Sequence, residues 1–433
     1  MKFVTSAIGE LREAIIHIPL RPSSNGKWMS ELAFLNTWNK DVYLYDDLPC
    51  LRGLYEEYET LRRRLEEMGV KVRLLRELLK EALEDSDVRE EKLRDMLGEP
   101  VLERYEKALR NKGLDVKARE LDTLIDDLIM GFPRIGGLGE GLELHSIIEP
   151  LPNLCFIKDV AVFLPEKIII CNMRHGIRKR EPRLFKTALM ALPYVEEDVI
   201  VECPDEKAIF EGSCVMVIDE STAMIGVTRC GIGRVNEKGF AWLVRVLSEE
   251  GFDRVIRVEL PVMEMEVPRE MGFLDFTLSF VDKGLILTLP YLYDRPEVLR
   301  MVKELYGRVL MGGGSARVLR LSGREARVEV EGNLIPVLEE LGVIEDVIWA
   351  APPPSRCPNE FERLCLALRE LWNASINVLT IGPGKVVAYE MNVNTVSALR
   401  EKLGGENVMT IPGAELVRGR GGPGALVLPV VRR

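Results

Sequence analysis

Three acidic residues stand beside apolar runs where a folded chain could bring them together. They are Asp159 in Phe156-Ile157-Lys158-Asp159, Glu211 in Phe210-Glu211-Gly212-Ser213 and Asp275 in Phe273-Leu274-Asp275. Read as following the strands of separate structural units, three such carboxylates would together hold a cation, whereas any one alone reads as a surface turn or a local salt bridge. The chain has only three histidines, His17, His145 and His175, which narrows the scope for imidazole base catalysis or metal ligation. His17 lies in the apolar run Ile15-Ile16-His17-Ile18 and reads as a core or rim histidine, and the other two fall in loops. Near the C-terminus, Gly419-Arg420-Gly421-Gly422-Pro423-Gly424-Ala425 places an arginine in a glycine-rich frame that ends on a methyl side chain.

The elements that must position these residues repeat. From Leu51 onward, Leu54, Tyr58, Leu61, Leu65 and Met68 keep helical spacing, Gly69 supplies a stop, and Val70 to Leu74 alternates as a strand. The same helix, break and strand recur at Leu189–Leu192 with Val199–Val201, and at Trp242–Glu250 with Val255–Val258. They recur again at Leu334–Leu341 with Val347–Trp349, and at Val396–Leu403 with Val408–Ile411. Helix and strand alternation ordinarily gives an open doubly wound sheet. Five comparable units, with strand pairs such as Cys214–Ile218 and Thr222–Gly226 between them, predict radial repetition: a five-bladed pseudo-symmetric α/β propeller. Residues 76–130 are densely charged, carry helical apolar spacing and read as an inserted helical subdomain, leaving 1–75 and 131–433 as the propeller domain. The Gly136-Gly137-Leu138-Gly139 stretch has no Walker lysine after it and reads as a linker.

Composition sets outer bounds. A chain of 433 residues with 47% hydrophobic content can bury a large core. A net charge of -11 argues against general nucleic-acid binding. No apolar run is long enough to span a bilayer and Met1-Lys2-Phe3-Val4-Thr5 is not a signal peptide, so the expectation is a cytoplasmic protein without membrane association. Eight scattered cysteines without a CxxC pair predict reduced thiols and no structural zinc, hence no metal and no cofactor. The absence of glutamine, with 29% charged residues, fits a thermophile.

Short motifs in order along nearly the whole chain resemble the arginine deiminases: Ser6 to Arg12, Leu44-Tyr45-Asp46-Asp47, Pro152-Asn153-Leu154-Cys155-Phe156-Ile157-Lys158-Asp159, Glu211-Gly212-Ser213-Cys214, Gly272-Phe273-Leu274-Asp275, and Gly419 to Ala425. The resemblance implies that Asn153 and Arg178 meet a substrate carboxylate, that Asp159 binds a guanidinium, and that Glu211, Asp275, Gly419 and Arg420 complete a substrate pocket. It also implies losses. Ala425 stands where the family has its cysteine nucleophile, and Phe273 where it has its catalytic histidine. Cys214 replaces a substrate-binding aspartate, and Cys230 falls where a second carboxylate-binding arginine is expected, with Arg229 one residue early. Cys214 is the only substitute nucleophile to consider, and a small buried thiol is its plainer reading. The expected ligand is a guanidino compound or amino acid. The alternatives are an active hydrolase with altered chemistry and a partner-binding assembly protein. A protein partner and a homo-oligomer stay open.

Overall fold

The computed structural model describes residues 2–22, 28–133, 146–228, 233–260, 262–264, 269–293, 309–311, 314–323 and 325–433. His145, Arg229, Cys230 and the Gly136–Gly139 stretch lie outside the described residues.

Five sheets share one plan: a first strand antiparallel to a second, and the second parallel to a third. In chain order of their central strands, the first consists of Leu428–Arg432, Leu11–Ile16 and Lys71–Leu74, so the C-terminal strand closes onto the N-terminal one. The second is Ala161–Phe163, Ile168–Ile170 and Ile200–Glu202. The third is Val215–Val217, Thr222–Val227 and Arg254–Glu259, widened by the hairpin Ser315–Ser322 and Glu325–Asn333. The fourth is Leu278–Asp282, Leu285–Thr288 and Asp346–Trp349, and the fifth is Leu379–Gly382, Lys385–Tyr389 and Val408–Ile411.

A parallel pair cannot be joined by a tight turn, and in each unit a helix makes the crossover. These helices are Leu51–Glu67, Arg180–Leu189, Glu237–Glu249, Leu334–Glu340 and Val393–Leu403. Each presents an apolar face to its sheet, as Leu51–Glu67 does with Leu54, Tyr58, Leu61 and Leu65. The second helix corrects the sequence reading. It ends at Leu189, where the periodicity was expected to begin, because the apolar stretch Leu189–Leu192 runs into the turn at Pro193. Between the first two units, Leu75–Leu83, Ser86–Leu97, Glu99–Arg110 and Leu121–Met130 are helices. The buried Tyr105 hydroxyl donates to Asp127 at 2.5 Å within this segment, and Asp127 also accepts from Arg119.

The first strands of all five sheets line one cavity of about 100 Å³, with Ala161 to Phe163, Val215 to Val217, Ser279 and Phe280, Leu379 and Thr380, and Leu428, Pro429 and Arg432 all contributing. The five sheets therefore share one cavity, the axial cavity, and residues just ahead of their first strands line a second, smaller pocket.

Candidate functional site

The carboxylates do not follow strands, as their apolar flanks suggested. Asp159 lies in the one-turn helix Ile157–Val160, Glu211 directly precedes Gly212–Cys214, and Asp275 lies in Leu274–Phe276. Each turn enters the first strand of its sheet. Asn377 and Ala425 hold similar positions ahead of Leu379–Gly382 and Leu428–Arg432. Residues ahead of all five first strands thus line one pocket.

A pocket of about 40 Å³ is lined by Asn153, Asp159, Arg178, Asp275, Gly419 and Arg420 together with Phe273 and Ala425. Phe156 packs so closely on the glycine-rich loop that a Cβ at Gly421 would meet its ring at 2.3 Å, and one at Gly419 at 2.6 Å. Asn377 clamps the loop: its Oδ1 accepts from Gly422 N at 3.1 Å and Ala425 N at 2.9 Å, while its Nδ2 donates to Asp275 O at 3.2 Å. Arg420 has φ 71°, a left-handed conformation unusual for a residue with a Cβ. That turn places its guanidinium 3.7 Å from the Trp372 ring centroid and 2.9 Å from Asp46.

Both pocket carboxylates already have protein partners. Lys158 Nζ donates to Asp275 Oδ2 at 2.6 Å. Arg178 donates to Asp159 at 2.7 Å and to Glu181 at 3.0 Å, with Glu211 at 3.8 Å. Three carboxylates face the Arg178 guanidinium in a dry setting. Burial first, against the opposing pull of Arg178, pushes Glu181 up to about 7. Burial works to lower Arg178, but Glu181, Asp159 and Glu211 hold it raised. Asp275 is raised by burial, which outweighs Lys158. The resemblance had Arg178 and Asn153 meeting a ligand carboxylate. Without a ligand, Arg178 donates to protein carboxylates, and Asn153 Nδ2 donates to Tyr43 O at 2.8 Å.

Arg234 escaped the sequence reading. It is buried, its Cζ sits 4.7 Å above the Phe273 ring, and it lies 3.5 Å from Glu211, which also accepts from Arg174 N at 3.0 Å. Its Nε and Nη1 have no hydrogen-bond partner among the described residues. No periodicity marks Arg234, since it belongs to no strand or helix. Lys158 and Asn377 were legible only through the repeat, each being within a few residues of a first strand.

Cys214 is fully buried, donates to Gly272 O at 3.4 Å and does not line the pocket. Burial, then Glu211, raises its thiol well above the ordinary value, so thiolate is disfavoured. His17 is buried with Nε2 2.5 Å from Glu31, as a core histidine, and His175 precedes the turn Gly176–Arg178 at an intermediate exposure. Among the described residues no group of three or more His, Cys, Asp or Glu side chains is placed to hold a metal ion, and no helix is long and apolar enough to cross a membrane.

Five sheets of one topology, with buried arginines and carboxylates gathered at the entry to their first strands, define a mixed α/β protein with a polar pocket. The same fold is found in SxtG, an amidinotransferase from Microseira wollei in the saxitoxin biosynthetic pathway. That structure matches with a TM-score of 0.51 at 14% identity, over 100% of this chain and 97% of its own. The chain belongs to the arginine deiminase family, whose model matches residues 41–308 and 362–432. It is 29% identical to an arginine deiminase of Bacillus cytotoxicus over 99% of this chain and 98% of that protein. It is 28% identical to one of Bacillus cereus over the same shares of 99% and 98%.

Proposed function

We propose that this protein is a non-catalytic member of the family that binds arginine or a related guanidino or amino-acid ligand. The observation that carries the reading is the composition of one pocket: Asp159, Asp275, Arg178 and Arg420 share it with Phe273 and Ala425. Residues that the resemblance assigns to ligand binding line it alongside two side chains without acid, base or nucleophile. Phenylalanine and alanine can neither shuttle a proton nor form a covalent intermediate.

A guanidinium entering between Asp159 and Asp275 would displace Lys158 from Asp275 and take its place. At about 40 Å³ the pocket admits roughly three waters, so the Phe156 or Arg234 side chain must also yield to a whole arginine. Arg234, with unused donors, is suited to the ligand's carboxylate better than Arg178 is. The division into a five-bladed propeller, residues 1–75 and 131–433, with 76–130 as a helical insertion, belongs to the same proposal and is supported by the shared plan of the five sheets. The test is a thermal-shift series with arginine, agmatine, citrulline and ornithine, run beside a citrulline assay. A shift without turnover supports the reading, and citrulline formed at enzyme-level rates overturns it.

A further inference from the structure

The axial cavity has a different character from the pocket just described. Its lining, among the described residues, contains three charged side chains: Lys158, Asp275 and Arg432. Two cations against one carboxylate leave one positive charge in excess, and Lys158 and Asp275 already neutralise each other at 2.6 Å. Arg432 carries the excess. It is buried, and no carboxylate among the described residues forms an ion pair with it. Burial alone lowers it to about 10.

Two of its five N–H donors are used, one to Ala7 O at 2.7 Å and one to Thr380 O, which stitch the C-terminal strand to the chain's start and to the fifth sheet. Its Nε has no hydrogen-bond partner among the described residues. Those two bonds account for its position and not for its charge, since an uncharged donor would serve the same carbonyls. An unpaired guanidinium is unfavourable in a buried site, and a ligand of opposite charge would relieve it. The hydroxyl-bearing Ser6, Ser279 and Thr380 line the same cavity.

Asp275 connects the two spaces. It lines both the axial cavity and the front pocket, whereas Lys158 lines the axial cavity alone. Lys158 therefore reaches Asp275 from the axial side.

We propose that the axial cavity binds a small oxyanion through Arg432 and Lys158, and that its occupancy strengthens cation binding in the front pocket by drawing Lys158 away from Asp275. The anion competes with Asp275 for the ammonium, and the freed carboxylate faces a guanidinium ligand. Linkage makes the effect reciprocal: arginine in front strengthens anion binding behind. The coupling rests on the reading of the front pocket as a cation site, and the anion site does not.

The experiment titrates the full chain with inorganic phosphate and, separately, acetate, each against sodium chloride at equal ionic strength, with melting temperature as the readout. The expected result is a saturable rise with at least one oxyanion over chloride, reduced at least tenfold in apparent affinity by Arg432→Met. Should Arg432→Met fail to fold, Ala7→Leu keeps the arginine and fills the cavity from a half-buried position, with the same expected loss. No rise over chloride at tens of millimolar, or a rise that survives both substitutions, overturns the anion site. Arginine is then titrated with and without saturating oxyanion. Tighter arginine binding with the oxyanion, and no such gain in Lys158→Met, supports the coupling, and equal affinities overturn it. An oxyanion shift with no arginine binding under any condition would refute the front-pocket reading alone.

Discussion

Lys158 Nζ lies 2.6 Å from Asp275 Oδ2, so a carboxylate suited to a ligand cation is neutralised from within the chain. The pair is unequal in setting: the Lys158 side chain keeps 22% of its exposure and that of Asp275 only 4%. The ammonium can move toward solvent while the carboxylate stays, which makes Lys158 the movable partner.

Removing that partner should trade stability for affinity. Lys158→Met leaves Asp275 buried without its cation, at a cost of about 3–5 kcal/mol in the absence of ligand. Arginine no longer competes with the ammonium, and its dissociation constant is expected to fall about tenfold, equivalent to about 1.4 kcal/mol. Calorimetric titration of both proteins measures it.

The cluster around Arg178 predicts a pH dependence of stability. Glu181 has a folded value of about 7 against an ordinary 4.5, so the folded state binds its proton more tightly than the unfolded state does. Its stabilising contribution is full below about pH 4.5 and is lost as pH rises through about 7. Glu181→Gln removes that loss. Denaturant unfolding should show the variant gaining on the wild type between pH 5 and pH 8, by no more than about 3 kcal/mol. A constant difference across that range would contradict the account.

Thiol chemistry separates the cysteines. Cys50 and Cys365 are exposed, and Cys214 is buried with its thiol raised by burial and by Glu211. Alkylation of the native protein should modify Cys50 and Cys365 first and reach Cys214 only on unfolding. Fast labelling of Cys214 would reopen it as a nucleophile.

Much of this arrangement was legible in the amino-acid order. The helix and strand units follow from apolar spacing and glycine stops, as at Leu54 to Gly69, because those elements are set by local periodicity. The carboxylates Asp159, Glu211 and Asp275 were found as a set, but placed after strands rather than before them, because a one-turn helix such as Leu274–Phe276 has no periodicity of its own. Their partners were less accessible. Arg178 and Asp159 are 19 positions apart, and Lys158 and Asp275 are 117 apart, and nothing local records which buried cation a tertiary fold delivers to which acid. Arg432 was not singled out in the sequence, and it is the closing strand that buries it.

Placing a histidine at Phe273 and a cysteine at Ala425 should not produce turnover. In Phe273→His with Ala425→Cys, the imidazole would sit where Arg234 now stacks at 4.7 Å, and that guanidinium disfavours its protonated form. Lys158 would still hold Asp275. A discontinuous citrulline assay should read background for the double variant, and a rate well above the wild type would contradict this expectation.

Arginine titration followed by melting temperature, with citrulline measured in the same samples, tests the central claim most directly. The account predicts a rise that is linear in the logarithm of arginine concentration above its dissociation constant, no citrulline, and loss of the rise in Asp159→Ala and in Asp275→Ala. Citrulline at enzyme-level turnover, or a shift unchanged in both variants, would contradict it.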